Sequence, residues 1–331
     1  SDNGIKFFGP DGYKLSDSVE LEIEALVSKG IGYVSPEDIG RAKRIDDGRY
    51  RYIERVKSSF PNQMRLDGLK VVIDCANGAG YKAAPEVLWE LGAEVIPVGV
   101  SPDGRNINLE CGSTSPTVAA ETVVAHGADV AICLDGDADR VLIIDEYGRP
   151  IDGDQFLGMI GSRWFKNGNL VENTLVSTVM SNMRLEAFLK QEGIKLVRTS
   201  VGDRYVVERM RLNGFNLGGE KSGHVVMMDY ATTGDGLMAG LQFLAEMVRT
   251  GEVASVVGRP FDLAPQKTEN ITYAGDKNPL DHPSIKKIIS ESEKKISGFG
   301  RLLVRKSGTE KLIRIMVESE DASVIDATMS P

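Results

Sequence analysis

Residues Ala131 to Glu146 read AICLDGDADRVLIIDE. Two apolar runs flank three aspartates, Asp135, Asp137 and Asp139, set at every second position and closed by Arg140. Near-continuous apolar runs of this length mark strands covered on both faces, as in the sheets of α/β proteins. Read as strand alternation, the spacing turns the three carboxylates to one side, where they raise one another's pKa unless something pairs them. A hard divalent cation with oxygen preference relieves the repulsion, and Mg2+ suits so compact a set. The aspartates and Glu146 also fall on positions 1, 3, 5 and 12 of the calcium-binding EF-hand loop. That pattern fails at position 6, where Arg140 stands in place of glycine, and at its flanks, which read as strands rather than helices. The bland alternative is a solvated acidic turn; placement at a sheet end, where α/β sites form, favours the cation.

Outward from this loop the chain keeps an α/β rhythm. Upstream, Val71–Ile73 reads as a strand, Ala76–Gly80 as a glycine turn, and Ala84, Val87, Leu88 and Leu91 as one face of a helix. Downstream the rhythm resumes with a strand from Thr174, a helix Asn182–Gln191, a strand Lys195–Arg198 and a helix from Asp203. The spacing then predicts two short strands bracketing GGEKSGH and a long helix Gly236–Arg249. Beyond Arg259-Pro260 a helix at Pro283–Lys295 and two strands around RKSGTEKLIR form a smaller unit. Before residue 65 the sequence predicts a strand near Ile5–Phe8, an acidic helix opened by Ser16 and a polar helix between Ile39 and Phe60. The expected fold class is therefore α/β: consecutive three-layer domains with mixed sheets, plus a smaller C-terminal α+β domain. The expected divisions are 1–64, 65–153, 154–258 and 259–331.

Composition sets outer bounds. The 331 residues carry 39 basic and 48 acidic side chains, a formal net charge of -9, which argues against a nucleic-acid or anionic-membrane surface. No window approaches the roughly 20 apolar residues of a membrane span. Three cysteines without a C-x-x-C spacing suggest reduced thiols and a cytoplasmic setting.

Two further constellations stand out. In RKSGTEKLIR, Arg305 and Arg314 bracket Ser307, Gly308 and Thr309, a turn able to grip an anion through guanidinium, hydroxyl and amide donors. In GGEKSGH, Glu220 and Ser222 can accept from and donate to the hydroxyls of a sugar, with His224 titrating near neutrality. As a bare hairpin and a lone post-turn histidine, neither decides anything alone. DCANGAG (74–80), VGDRYV (201–206) and TTGDG (232–236) read as structural turns.

Taken together and in this order, DNGIKFFGPDG, DGDADR, GEKSGH and RKSGTEKLIR resemble the α-D-phosphohexomutases, with NINLECGST (106–114) and VGDRYV pointing to the glucosamine branch. The resemblance implies interconversion of glucosamine 6-phosphate and glucosamine 1-phosphate through a phosphoserine and a bisphosphorylated hexosamine. It implies that Asp135, Asp137 and Asp139 hold one Mg2+, and that Glu220 and Ser222 read the sugar. Arg305, Ser307, Gly308, Thr309 and Arg314 would anchor the non-reacting phosphate, while Lys6, His224 and Arg140 serve proton transfer or charge balance. The expected partner is a hexosamine phosphate, without nucleic acid or membrane, for a monomer or homodimer. The family's serine loop belongs just before Asp2, so the nucleophile is expected to be missing and this chain inactive alone, with the last domain also ending early. Alternatives are a phosphomannomutase or phosphoglucomutase of the same family, and a non-catalytic sugar-phosphate binding protein. Ala138 stands where the family usually has glycine, and Lys221 where the glucosamine branch often has an amide.

Overall fold

The structure is a computed structural model that describes residues 6–30, 32–275, 278–307 and 311–329. Helix α1 (Asp17–Lys29) is capped by Ser16 and buries none of its residues; α2 (Gly48–Ser58) follows. The first sheet comprises β1 (Lys70–Asp74), β2 (Glu94–Val98), β3 (Val130–Leu134), β4 (Val141–Asp145) and β5 (Pro150–Ile151), with α3 (Ala83–Glu90) and α4 (Thr117–His126) in its crossovers. Its order is β2-β1-β3-β4-β5, parallel among the first three strands and antiparallel at β3–β4 and β4–β5. Helix α5 (Gly153–Lys166) leads to β6 (Thr174–Thr178), α6 (Met183–Gln191), β7 (Lys195–Thr199), α7 (Asp203–Asn213), β8 (Leu217–Gly219) and β9 (Val225–Met227). These strands pair as β7-β6-β8-β9, again mixed. After α8 (Gly236–Thr250) and α9 (Ala254–Val257) come β10 (Gln266–Thr272), α10 (Pro283–Ile296), β11 (Gly300–Lys306), β12 (Leu312–Ser319) and α11 (Ala322–Met329). The third sheet, β10-β12-β11, is wholly antiparallel.

Burial follows the alternation of each strand. On β1, Val71 and Ile73 enter a large core containing residues of α2, α3, α5 and α8, whereas Val72 joins Ala119 and Val123 of α4 on the other face. On the second sheet Leu175 and Leu217 enter that same large core, and Val176 packs with Val206 and Met210 of α7 opposite. The two α/β sheets thus share one apolar interior, with α8 (Leu237, Leu241, Leu244) inside it. The third sheet has a small separate cluster of Ile296, Val317 and Ile325. Cys75, Cys111 and Cys133 are free and buried, and burial pushes the Cys75 thiol up to about 12. Among the described residues no helix is long and apolar enough to cross a membrane.

Four local expectations need correction. The helix expected from Ile39 begins only at Gly48, because nothing packs on residues 39–47, all exposed. Near the expected strand at Ile5–Phe8, the described part shows a single bridge, Phe8 to Lys14. Among the elements without a sequence prediction are α5, the short β5 and α9, and β10, a polar edge strand (QKTENIT) that lacks an apolar alternation. Finally, residues 135–140 are a turn rather than a strand, so the aspartates converge for a different reason.

Candidate functional site

The acidic loop is shaped by close backbone contacts. A Cβ on Gly78 would stand 2.1 Å from the Gly136 carbonyl, and that approach lets the Ala79 amide donate to Gly136 O at 2.8 Å. Ala138 takes a left-handed conformation at φ 62°, reversing the chain so that Asp135, Asp137 and Asp139 meet with ligand oxygens within 4.8 Å of one another. Asp135 Oδ1 also accepts from the Arg140 amide at 3.1 Å. Burial, then the neighbouring Asp139 charge, pushes Asp135 up to about 6. Burial pushes Asp139 the same way, yet His224 and Lys6 override it and hold that carboxyl well below the usual range. Lys6 bridges Asp137 and Asp139, 2.9 Å from the latter, and despite partial burial these bonds raise its pKa. An ammonium group thus already sits where a cation is wanted. The donor set is all carboxylate oxygen, which suits a hard divalent ion. Arg140 lies at the rim, its Nε 3.8 Å from Asp139.

The sugar-loop candidate is welded to the acidic loop. A Cβ on Gly223 would sit 2.0 Å from the Val141 carbonyl, and Val141 N donates to Gly223 O at 3.1 Å. The Gly236 amide, from the TTGDG turn, donates to Ala138 O at 2.9 Å. His224 is 1% exposed, with Nδ1 3.7 Å from Asp139 and Nε2 3.7 Å from Asp203. Asp203, itself paired with Lys14, belongs to the VGDRYV turn that sequence reasoning left as structural; only its place in the fold reveals it. Glu220 Oε1 accepts from the Gly202 amide of that turn at 3.0 Å, which fixes the carboxylate, and Ser222 is exposed beside it. Lys221 reaches Gln266 at 2.9 Å and Asp152 at 3.3 Å.

Arg305 and Arg314 are directly opposite in the β11–β12 ladder. Like charges at such a pair repel unless an anion lies between them. Burial, then Arg314, lowers the Arg305 pKa, while Glu220 acts in the other direction, so Arg305 lies within electrostatic reach of the sugar loop. Ser307 is buried, its amide donating to Leu312 O at 2.9 Å. Gly308 and Thr309 lie outside the described residues. A cleft of about 790 Å³ lined by Lys6, Asn77, Asn106, Asn108, Asp135 and Asp137 opens beside the acidic loop. The structure therefore brings Lys6, the three aspartates, Arg140 and His224 together, joins Glu220 to His224 through the loop, and places Arg305, opposite Arg314 in its ladder, within electrostatic reach of Glu220.

Three family models match: phosphoglucomutase/phosphomannomutase α/β/α domain II over residues 50–148, α/β/α domain III over 152–261, and the C-terminal domain over 269–329. The phosphoglucosamine mutase of Ruegeria sp. (strain TM1040) is 66% identical over 325 residues, 98% of this chain and 73% of that protein. That of Roseobacter denitrificans is 65% identical over 98% of this chain and 72% of its own length. Among solved structures, a phosphoglucomutase/phosphomannomutase family protein from Burkholderia thailandensis superposes with TM-score 0.75 at 19% identity, covering 95% of this chain and 68% of that one. The Aspergillus fumigatus N-acetylphosphoglucosamine mutase in complex with GlcNAc-6P and magnesium gives TM-score 0.67 at 19% identity, covering 85% and 68%. At that identity the structural likeness speaks for the fold alone. The sequence relatives and the three matched domains go further: this chain belongs to the α-D-phosphohexomutase family.

Proposed function

We propose that the chain carries the metal, sugar and phosphate sites for interconverting glucosamine 6-phosphate and glucosamine 1-phosphate, the activity named for relatives 66% and 65% identical to it. The observation that carries this reading is the continuous track from Asp139 through His224 and Glu220 to Arg305. One end of the track suits a divalent cation and the other an anion, with sugar-reading side chains between.

Asp135, Asp137 and Asp139 would hold one Mg2+, which, when bound, offsets negative charge on a phosphoryl group in transfer. Arg305 and Arg314 grip the phosphate that does not react, relieving their mutual repulsion. Glu220, fixed by Gly202, accepts from sugar hydroxyls, and Ser222 donates. Lys6 neutralises Asp137 and Asp139 and would be free to pair with the phosphoryl group if a metal held those carboxylates. His224, held between Asp139 and Asp203, sets the charge at the junction of the metal and sugar loops. Arg140 supplies a second cation at the rim. Because the sugar loop lies between two phosphate-binding ends, a hexosamine bisphosphate fits as an intermediate that reorients between them. The partner is a hexosamine phosphate.

Calorimetric titration with glucosamine 6-phosphate, mannose 6-phosphate and glucose 6-phosphate in Mg2+ tests the reading. Preference for the hexosamine phosphate by about tenfold or more, a difference of about 1.4 kcal/mol, is the expected result. Equal or stronger binding of either neutral hexose phosphate would move the chain to the other branch of the family.

A further inference from the structure

The third sheet meets the rest of the molecule through a set of directed polar contacts, on a face that also buries Met316 between them. Its apolar cluster of Ile296, Val317 and Ile325 is separate from the large core. Apolar contact is non-directional, whereas hydrogen bonds fix an angle. The angle of the sheet is therefore fixed most sharply at the polar seat formed by residues 179–184, between β6 and the first turn of α6.

That seat is specific. Glu318 of β12 is 0% exposed, and its Oε1 accepts from the Met183 amide at 3.0 Å, an otherwise orphaned donor at the start of α6. Its Oε2 accepts from Arg301 Nη2 at 2.7 Å. The same guanidinium donates to the carbonyls of Val179 at 2.9 Å and Ser181 at 2.7 Å. Around this pair, the Asn182 side chain both accepts from Ala264 N and donates to Ala264 O at 3.1 Å, and Arg184 pairs with Glu320. A carboxylate from the third sheet thus completes the N-terminus of a helix in the preceding α/β layer.

We propose that Glu318 and Arg301 are positioning residues that aim the phosphate-gripping pair Arg305 and Arg314. The register carries the inference. Arg301 is directly opposite Glu318, and Arg305 directly opposite Arg314, on the same two strands. Both pairs are an even number of residues apart along each strand, so they lie on one face of the sheet. Four residues of strand span about 13 Å, so the ladder is a short lever anchored at one end and functional at the other. A tilt at the clamp of about ten degrees displaces the guanidiniums by about 2 Å, enough to spoil a bidentate phosphate contact. Isosteric replacement exposes the geometry: a glutamine at 318 must aim its amide NH2 at either the Met183 N–H or the Arg301 guanidinium, and so loses one of them.

The inference rests on the phosphate role of Arg305 and Arg314 given above, and the test separates the two. Glu318→Gln and Arg301→Lys are titrated with glucosamine 6-phosphate and, separately, with Mg2+ alone, and amide exchange is followed at Met183 and Arg305. Sugar-phosphate affinity falls about tenfold in Glu318→Gln and less in Arg301→Lys, as a small misplacement predicts. Mg2+ affinity stays unchanged, and the Met183 and Arg305 amides exchange faster. Unchanged sugar-phosphate affinity with faster exchange at Met183 overturns the positioning role, as does a parallel loss of Mg2+ binding in both variants, which marks a structural role only. If the unaltered chain binds Mg2+ but no glucosamine 6-phosphate, the proposed function fails; the clamp is then decided by whether exchange at Arg305 responds to Glu318→Gln.

Discussion

The acidic loop after β3 and the basic turn after β11 have opposite charge, and they are built by opposite means. Around Asp135–Asp139 the backbone does the shaping: two buried strands, a left-handed Ala138, and amide-to-carbonyl contacts from Ala79 and Gly236. Around Arg305 and Arg314 side chains dominate, on a half-buried strand whose sheet meets the body through Glu318, Arg301, Asn182 and Lys221. A small ion demands carboxylates fixed to fractions of an ångström, and main-chain contacts supply that rigidity. On the function proposed above, a phosphate on a sugar that binds in two orientations would be better served by a sheet whose angle is adjusted through polar contacts. The difference also shows in the charges: Lys6 and His224 converge on the acidic loop, while Arg305 and Arg314 stand opposite one another with Glu220 acting on Arg305.

The largest test of this contrast lies in the acidic loop. Asp137→Ala or Asp139→Ala should weaken Mg2+ binding about 100-fold, measured by calorimetry, while glucosamine 6-phosphate still reaches the arginines. Next, Arg305→Ala should weaken the sugar phosphate by about 2 kcal/mol, the scale of a charge-assisted hydrogen bond, and leave Mg2+ affinity intact. Cross-effects of equal size in both directions would erase the distinction between the two ends.

A smaller effect concerns the seat of the third sheet. Asp154 accepts from Asn182 N at 2.8 Å, and burial pushes its carboxyl up to about 6 from an ordinary 3.8. The folded chain therefore binds more protons than the unfolded one between those two values, and stability falls as pH rises through that window. One such proton is worth up to about 1.4 kcal/mol per pH unit. Asp154→Asn should flatten the slope of unfolding free energy against pH by that amount and stabilise the protein near neutrality. An unchanged slope in urea titrations from acid to neutral pH would show that Asp154 is ionised in the fold. Smallest is Ala138→Gly, which removes the left-handed penalty of about 1–2 kcal/mol but adds unfolded-state freedom of about 0.5–1 kcal/mol. The expected net gain in stability is about 0.5 kcal/mol, read from the midpoint of urea unfolding.

Much of this was legible in the residues. The apolar runs around the aspartates placed β3 and β4, and the i, i+3, i+4, i+7 pattern placed α3, because those elements bury the faces the pattern marks. The aspartates were rightly seen to converge, but strand alternation was the wrong reason: a positive φ at Ala138 is not visible in a residue that seldom adopts one. Helix α5 was missed because it is buried nearly all round, so that Asp154, Gln155, Ser162 and Arg163 lie inside with the apolar residues and burial does not follow polarity. Asp203, Gly223, Gly78 and the Glu318 clamp act through contacts between segments far apart in sequence, which local periodicity does not encode.

The most direct test of the central claim is a calorimetric titration of the chain with Mg2+, repeated on Asp137→Asn. The account predicts one Mg2+ per chain, with binding weakened by up to about 100-fold in the variant and the fold retained. Mg2+ binding of equal strength in Asp137→Asn, or none in the unaltered chain, would contradict it.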